Sequence, residues 1–342
     1  MKYYNILLLS VFLLTSCEEK KAVLHLYTWD DYLNPDLITA FEEKYDCTLA
    51  IDIFDSNEAM LAKLQAGATG YDVLVPSSYM VRILAKEKMI VELDHARLKN
   101  LEHVDKDYLN NLAFDKTMKW SVPYMLAPTG IAWVSDRVEN VEPSWAVFGR
   151  ADLKGRMTLL NDSRETIGAA LKLLGYSINS VDETQINEAK NVVIQWKANL
   201  AKFESDQYDS GLASSEFLLS QAYAGDAFQA QEDNEAIKFV VPREGSSIAC
   251  DDLVLSAKAP NPDLAYAFID FVTEPANAAA NMEYIFYLAP NSTAYGLVSE
   301  KFKENEALFL SDDLMKKCEM IDDLGPANAI YNKAWDEIRA AQ

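Results

Sequence analysis

Between residues 23 and 86, short apolar runs alternate three times with segments of helical spacing, and this alternation constrains the fold more than any other feature. Residues 23–27, 48–54 and 71–76 read as strands. Asn34-Pro35-Asp36 supplies an N-cap, a first-turn Pro and a first-turn acid for a helix running to about residue 45. Asp55 and Glu58 stand in capping-box spacing before a helix at 59–66 that Gly67 ends, and a third helix follows Ser77-Ser78. Such a series builds a mainly parallel sheet with helices on its faces. A second unit of the same character follows, with strands at 131–134, 157–160, 238–242 and 253–255 and helices at 166–174 and 262–272. Its longest predicted helix, 182–202, aligns Ile186, Ala189, Val193, Trp196 and Leu200 on one stripe. The expected fold class is α/β, with mixed, mainly parallel sheets, and 342 residues suit two domains.

Charge narrows the partners. The chain has 53 Asp and Glu against 31 Lys and Arg, a formal net charge of −22, which repels nucleic acid and anionic lipid and attracts cations. The N-terminus is read as an export signal: Lys2 precedes an apolar run at 6–16, too short to span a bilayer, and Leu14-Thr15-Ser16-Cys17 resembles a bacterial lipobox. On that reading residues 1–16 are a signal peptide, Cys17 is the lipidated new N-terminus and residues 17–22 are a tether. An ordinary secretory signal with an incidental Cys is the other reading, and the chain is exported on either. Cys47, Cys250 and Cys318 are an odd number at wide spacing, so at most one disulfide could form and buried free thiols are expected.

Several chemistries have no motif to carry them. The histidines His25, His95 and His103 have no metal-site spacing, and there is no Walker A loop, no G-x-G-x-x-G after a strand and no G-x-S-x-G elbow. No catalytic residue, metal or cofactor is therefore assigned. A hydrolase using two carboxylates stays open as the runner-up.

In open α/β sheets ligands collect at the carboxyl ends of strands. The first such turn, Thr28-Trp29-Asp30-Asp31-Tyr32, sets two acids between two aromatics, a plausible ammonium clamp. Pro76-Ser77-Ser78-Tyr79 offers hydroxyls and a ring at the same edge. In the second unit Asn161-Asp162-Ser163-Arg164-Glu165 spaces two acids three apart at a helix start. Tyr223-Ala224-Gly225-Asp226 and Cys250-Asp251-Asp252 repeat the theme. Each is weak alone, because acids are common at turns; their recurrence is what informs.

Taken together, Tyr27-Thr28-Trp29-Asp30-Asp31-Tyr32, Ser56-Asn57-Glu58 with Met60 and Ala62-Lys63-Leu64, Tyr71-Asp72 with Val75-Pro76-Ser77-Ser78-Tyr79, Val122-Pro123-Tyr124, Asp162-Ser163-Arg164-Glu165, Leu173-Leu174-Gly175-Tyr176-Ser177, Glu244-Gly245 and Ala289-Pro290-Asn291 resemble the bacterial spermidine/putrescine-binding proteins of ABC importers. The resemblance runs in order through essentially the whole chain after residue 22. It implies a two-lobed, lipid-anchored periplasmic protein that traps a polyamine between its lobes and delivers it to a permease. It is expected to be a monomer and not an enzyme. The ligand-binding residues it implies are Trp29, Asp31 and Tyr32 with Asp30 beside them, Ser77, Tyr79, Asp162, Glu165, Tyr223 where relatives usually carry Trp, Asp226, Asp251 and Tyr287.

The chain departs from spermidine-preferring members at Ala249, where they carry an aromatic, and at Ile321, where they place an amide. The aromatic-x-Gly-Asp of Tyr223 to Asp226 resembles putrescine-preferring members, so putrescine is favoured over spermidine. The expected first lobe is 23–131 with 251–294, and the second is 132–250 with 295–342, hinged near 131–134 and 249–254. A solute-binding protein for another small ligand remains the nearest alternative. An amino-acid binder would need an Arg for the α-carboxylate, and the one candidate, Arg164, is expected to hold Asp162, Glu165 or a neighbouring turn.

Overall fold

The computed structural model describes residues 21–54, 56–112 and 114–341. The predicted signal peptide, Cys17 and the capping-box Asp55 lie outside the described residues. Among the described residues no helix is long and apolar enough to cross a membrane.

The first lobe follows the predicted alternation. Strand β1 (Ala22–Thr28) pairs in parallel with β2 (Cys47–Ile53) and with β3 (Val73–Leu74). The helix Pro35–Tyr45 starts as expected, with the Asn34 side chain accepting the Asp36 N–H. The next helix, Asn57–Gln65, begins two residues earlier than predicted, and its cap is Ser56, whose hydroxyl accepts from Ala59 N–H.

Two long strands join the lobes. Strand β4 (Ser121–Val134) takes residues 121–128 through the first sheet and 129–134 through the second. Prediction found only its last four residues because Pro123 and Pro128 interrupt the strand pattern; a register shift between Pro123 and Met125 absorbs the first of them. In the second lobe β5 (Met157–Leu159) lies between β6 (Leu200–Phe203) and β7 (Leu219–Tyr223), both parallel to it, and β8 (Ile237–Val240) runs antiparallel to β4. Strand β9 (Ser247–Leu255) returns to the first sheet antiparallel to β3 and β4, while its first two residues pair with β10 (Glu319–Met320). The strand order is β2-β1-β3-β9-β4-β7-β5-β6, with β10 against β9 and β8 against β4. The result is a two-lobed α/β fold with mixed sheets.

Three expectations give way to long-range pairing. The helix predicted at 182–202 is Glu183–Lys197, and Leu200 belongs to β6, where bonding to β5 outweighs the helical stripe. Cys250-Asp251-Asp252, read as a turn, lies inside β9; acids are poor strand formers, but β4 pairs them on one side and Pro76 and Ser77 bridge them on the other. The crossing in β4 comes earlier than its predicted hinge at 131–134, at Thr129-Gly130. At Gly130 a Cβ would sit 2.5 Å from the Phe239 ring and from the Val240 carbonyl oxygen, so the strand can cross there only without a side chain.

The cores divide with the sheets. Leu24, Leu26, Phe41, Val73, Phe268, Ile269 and Met282 are among the first lobe's interior residues; Trp145, Phe148, Met157, Ile167, Val193 and Trp196 are among the second's. Val298, Phe302 and Leu308 pack in the first core, so the expected second-lobe segment 295–342 begins too early. The chain reaches the second lobe at Glu319, whose carboxylate accepts from Lys172 and the Ser177 hydroxyl, and the helix Asn328–Ala340 buries Tyr331, Trp335 and Ile338 there. Cys47 and Cys250 are buried free thiols and Cys318 is a half-buried one.

Candidate ligand-binding cleft

Three desolvated carboxylates define the site: Asp251 on β9, Asp226 in the first turn of the helix Ala224–Asp233, and Glu165 in the first turn of the helix Ser163–Leu173. Asp251 is held within its own lobe. The Tyr32 hydroxyl donates to one of its oxygens and the Ser77 hydroxyl to the other, each at 2.6 Å. Asn57, itself buried, fixes Ser77 by accepting its N–H and donating to its hydroxyl, both at 3.0 Å. Burial pushes the Asp251 carboxyl up to about 6, against the pull of the Ser77 and Tyr32 donors.

Asp226 is held from both lobes. Tyr208 donates to it at 2.5 Å from the same lobe, and Tyr287 donates at 3.2 Å from the other. Burial again leads, raising its pKa to about 6. Glu165 accepts from the Ser247 hydroxyl at the start of β9, and burial together with the nearby Asp162 raises it to about 7. Gln221 pins this helix start, donating to the Glu165 carbonyl and accepting from Leu160 N–H and the Thr166 hydroxyl. Asp162 spends one oxygen as the N-cap, accepting from Arg164 and Glu165 N–H. Among the described residues none of Asp251, Asp226 and Glu165 forms an ion pair with Lys or Arg.

Rings wall these acids. Tyr32 meets Tyr287 edge-on at 5.4 Å and Tyr124 at 5.9 Å, and Trp29 packs on Phe54 at 4.5 Å. The Trp29 Nε1 donor is buried without a partner among the described residues. The Tyr223 hydroxyl is desolvated and lies in the field of Glu165, Asp162, Tyr287 and Asp226. Tyr79 donates to Glu58 at 3.1 Å and feels Asp162 of the opposite lobe.

The lobes touch across this cleft. Besides the Tyr287–Asp226 bond, Arg82 pairs with Asp322 at 3.4 Å. Gly225 is so close to Tyr287 that a Cβ would lie 1.8 Å from its ring. Burying acids without counter-cations is costly. A site of such acids and aromatic walls is chemically matched to an elongated ammonium ligand with apolar carbons between its charges.

The structure thus gathers Trp29, Tyr32, Ser77, Tyr79, Asp162, Glu165, Tyr223, Asp226, Asp251 and Tyr287. It leaves Asp30 and Asp31 exposed on the turn after β1; Asp31 has a φ of 46°, and its N–H bonds the Asp30 carboxylate at 3.1 Å. Arg164 is expected to hold Asp162, Glu165 or a neighbouring turn; its hydrogen bonds go to neighbouring turns, to the Asp322 carbonyl at 2.9 Å and the Asn179 side chain at 2.7 Å, while its charge still favours the Glu165 carboxylate. Residue reading missed Asn57, Tyr208, Ser247 and Gln221, whose partners are distant in sequence. Only Asn57 carried a signal, its place in the Ser56-Asn57-Glu58 motif.

A profile of the bacterial extracellular solute-binding proteins matches residues 36–309. A putrescine/cadaverine-binding protein of Pseudomonas aeruginosa is 34% identical over 330 residues, covering 92% of this chain and 93% of that protein. A spermidine/putrescine-binding periplasmic protein of Escherichia coli is 33% identical over 321 residues, covering 93% and 92%. Among solved structures, the spermidine/putrescine ABC transporter substrate-binding protein PotD of Streptococcus pneumoniae superposes with a TM-score of 0.84 at 31% identity, covering 93% of this chain and 99% of that one. The Tp0655 (TpPotD) lipoprotein of Treponema pallidum gives 0.83 at 33% identity, covering 92% and 99%.

Proposed function

The chain belongs to the bacterial extracellular solute-binding proteins, and on that premise we propose that it is an extracytoplasmic polyamine receptor that closes on putrescine, and less tightly on spermidine, and hands it to an ABC permease. The observation that carries this reading is the set of desolvated carboxylates, Asp226, Asp251 and Glu165, that form no ion pair with Lys or Arg among the described residues and are framed by Trp29, Tyr32, Tyr223 and Tyr287. A diammonium ion brings two positive charges to these three acids, and the rings cover its methylenes. The names of the relatives, which mention putrescine, cadaverine and spermidine, point the same way.

The putrescine preference rests on residues. Asp226 adds an acid on the second lobe, whereas Ala249 and Ile321, both half-buried, put no ring or amide where a longer polyamine would meet one. Ligands from both lobes make closure favourable when the cation is bound, because Asp251 stands on one lobe while Asp226 and Glu165 stand on the other. The receptor acts as a monomer held to the membrane by a lipid on Cys17, in keeping with its lipobox-like Leu14-Thr15-Ser16-Cys17.

Calorimetry of residues 18–342 with putrescine, spermidine and spermine at fixed salt tests the reading. Binding of putrescine at micromolar concentration or tighter is the expected result, and no binding of any of the three sinks it. Fatty-acid labelling of the full chain, lost in Cys17→Ser, tests the anchor; labelling that survives the substitution refutes it.

A further inference from the structure

We propose that Tyr208 is a positioning residue that sets the direction in which the Asp226 carboxylate faces the cleft, and so how tightly that end of the cleft holds an ammonium group. The proposal rests on the polyamine reading above. Tyr208 opens the helix Tyr208–Ala213 and is 1% exposed, so its ring touches no ligand. It is packed with Leu160, Ala222, Ala227 and Ala230 in a core of the second lobe. Its hydroxyl does two things at once. It donates to Asp226 at 2.5 Å and accepts the Tyr223 N–H at 3.0 Å.

Those two bonds join the last residue of β7 to the first turn of the helix that follows it. The Tyr223 ring and the Asp226 carboxylate are thereby held in fixed relation before the lobes meet. The other donor to Asp226, Tyr287, comes from the first lobe, so parting the lobes would withdraw it. In the open receptor the Tyr208 hydroxyl is thus what keeps the carboxylate from rotating.

The groups facing Asp226 are few. Tyr208 and Asp209 come from the helix Tyr208–Ala213, Tyr223 from the end of β7, and Tyr287 from beyond the helix Pro275–Ile285. Asp209 and burial favour the protonated acid, while the Tyr208 and Tyr287 hydroxyls favour the carboxylate. Removing the Tyr208 hydroxyl leaves Asp209 and burial less opposed, so Asp226 keeps its proton to higher pH.

Tyr208→Phe keeps the ring and deletes only the hydroxyl. Putrescine affinity is expected to fall about tenfold at pH 6.5 and by clearly less at pH 8.5, the size expected for a hydrogen bond to a charged group. In an Asp226→Asn background the same substitution is expected to change affinity equally at both pH values. A loss in the parent background that is the same at both pH values, or no loss, overturns the proposal. If the parent binds no polyamine, the functional reading fails instead, and the two failures are distinct. Carboxyl and ring ¹³C NMR of the empty, unsubstituted protein gives a test free of any folding defect. The Tyr208 Cζ resonance should move with the Asp226 carboxyl at one midpoint; a Tyr208 resonance that stays flat while Asp226 titrates refutes the link.

Discussion

Asp251 and Asp226 sit at the two sides of the cleft, both desolvated and both with a pKa near 6, yet they are built differently. Asp251 is complete within the first lobe, because Tyr32 and Ser77 reach it from the same sheet edge and Asn57 backs Ser77. Asp226 has one donor from its own lobe and one, Tyr287, from across the gap. One acid is a standing site and the other is finished by closure. On the proposed polyamine reading the difference separates docking from trapping: a cation would meet a ready partner at Asp251 first, and its hold at Asp226 would tighten as Tyr287 arrives.

The largest effect expected from breaking this contrast is at the standing site. Asp251→Asn should weaken putrescine binding by at least about 2 kcal/mol, roughly 30-fold, because a desolvated ammonium loses its charged partner. Calorimetry checks this, and a change within error would remove Asp251 from the site. Tyr287→Phe should act next most strongly and mainly on dissociation, by about fivefold to tenfold in stopped-flow displacement, since the hydroxyl completes Asp226 only in the shut form. An equal effect on the association rate would show that Tyr287 guides entry instead.

Proton linkage sharpens the same comparison. Asp226 and Asp251 stand at about 6 and Glu165 at about 7, all raised by burial, and a diammonium ligand needs carboxylates in ionised form. Affinity should therefore be full above pH 8, fall as pH drops through 7 towards 5, and be accompanied by proton release near pH 6.5. Titrations in buffers of different ionisation enthalpy would reveal the protons, and a flat affinity profile would contradict the desolvated state of the acids.

The smallest effect concerns Asp252, buried one residue beyond Asp251, where it accepts from the Ser78 hydroxyl at 2.5 Å and has its pKa raised to about 8 by burial. Its folded pKa lies above its unfolded value near 4, so the stability it contributes is full below pH 4 and is lost as pH rises to 8. Asp252→Asn should gain a few degrees of melting temperature on the parent across that window and then level off. A constant offset would mean that Asp252 does not titrate there.

What could be read from the chain follows the range of the forces involved. Caps and strand–helix alternation are local, so Asn34, Pro35 and the three strands of the first lobe were legible. The clustered acids and rings were legible as motifs, and the structure brings Asp162, Glu165, Asp226 and Asp251 together from both lobes. Pairing at a distance was not legible. Strand β4 carries two prolines, β9 carries three polar or acidic interruptions, and only their neighbours make them strands. Tyr208 has no motif at all; its role comes from a fold that sets it beside a carboxylate 18 positions further along the chain. Asp30 and Asp31 show the reverse, a persuasive motif whose acids the turn leaves in solvent.

Gly225 is where the two lobes leave no room for a single extra carbon. A methyl group there would act as a doorstop, meeting the Tyr287 ring before the gap could shut, while leaving Asp251 and its donors untouched. On the proposed reading capture would still begin, but the lobes could not reach the shut arrangement seen in this structure. The smallest residue in the cleft is thus the tolerance on which its shutting depends.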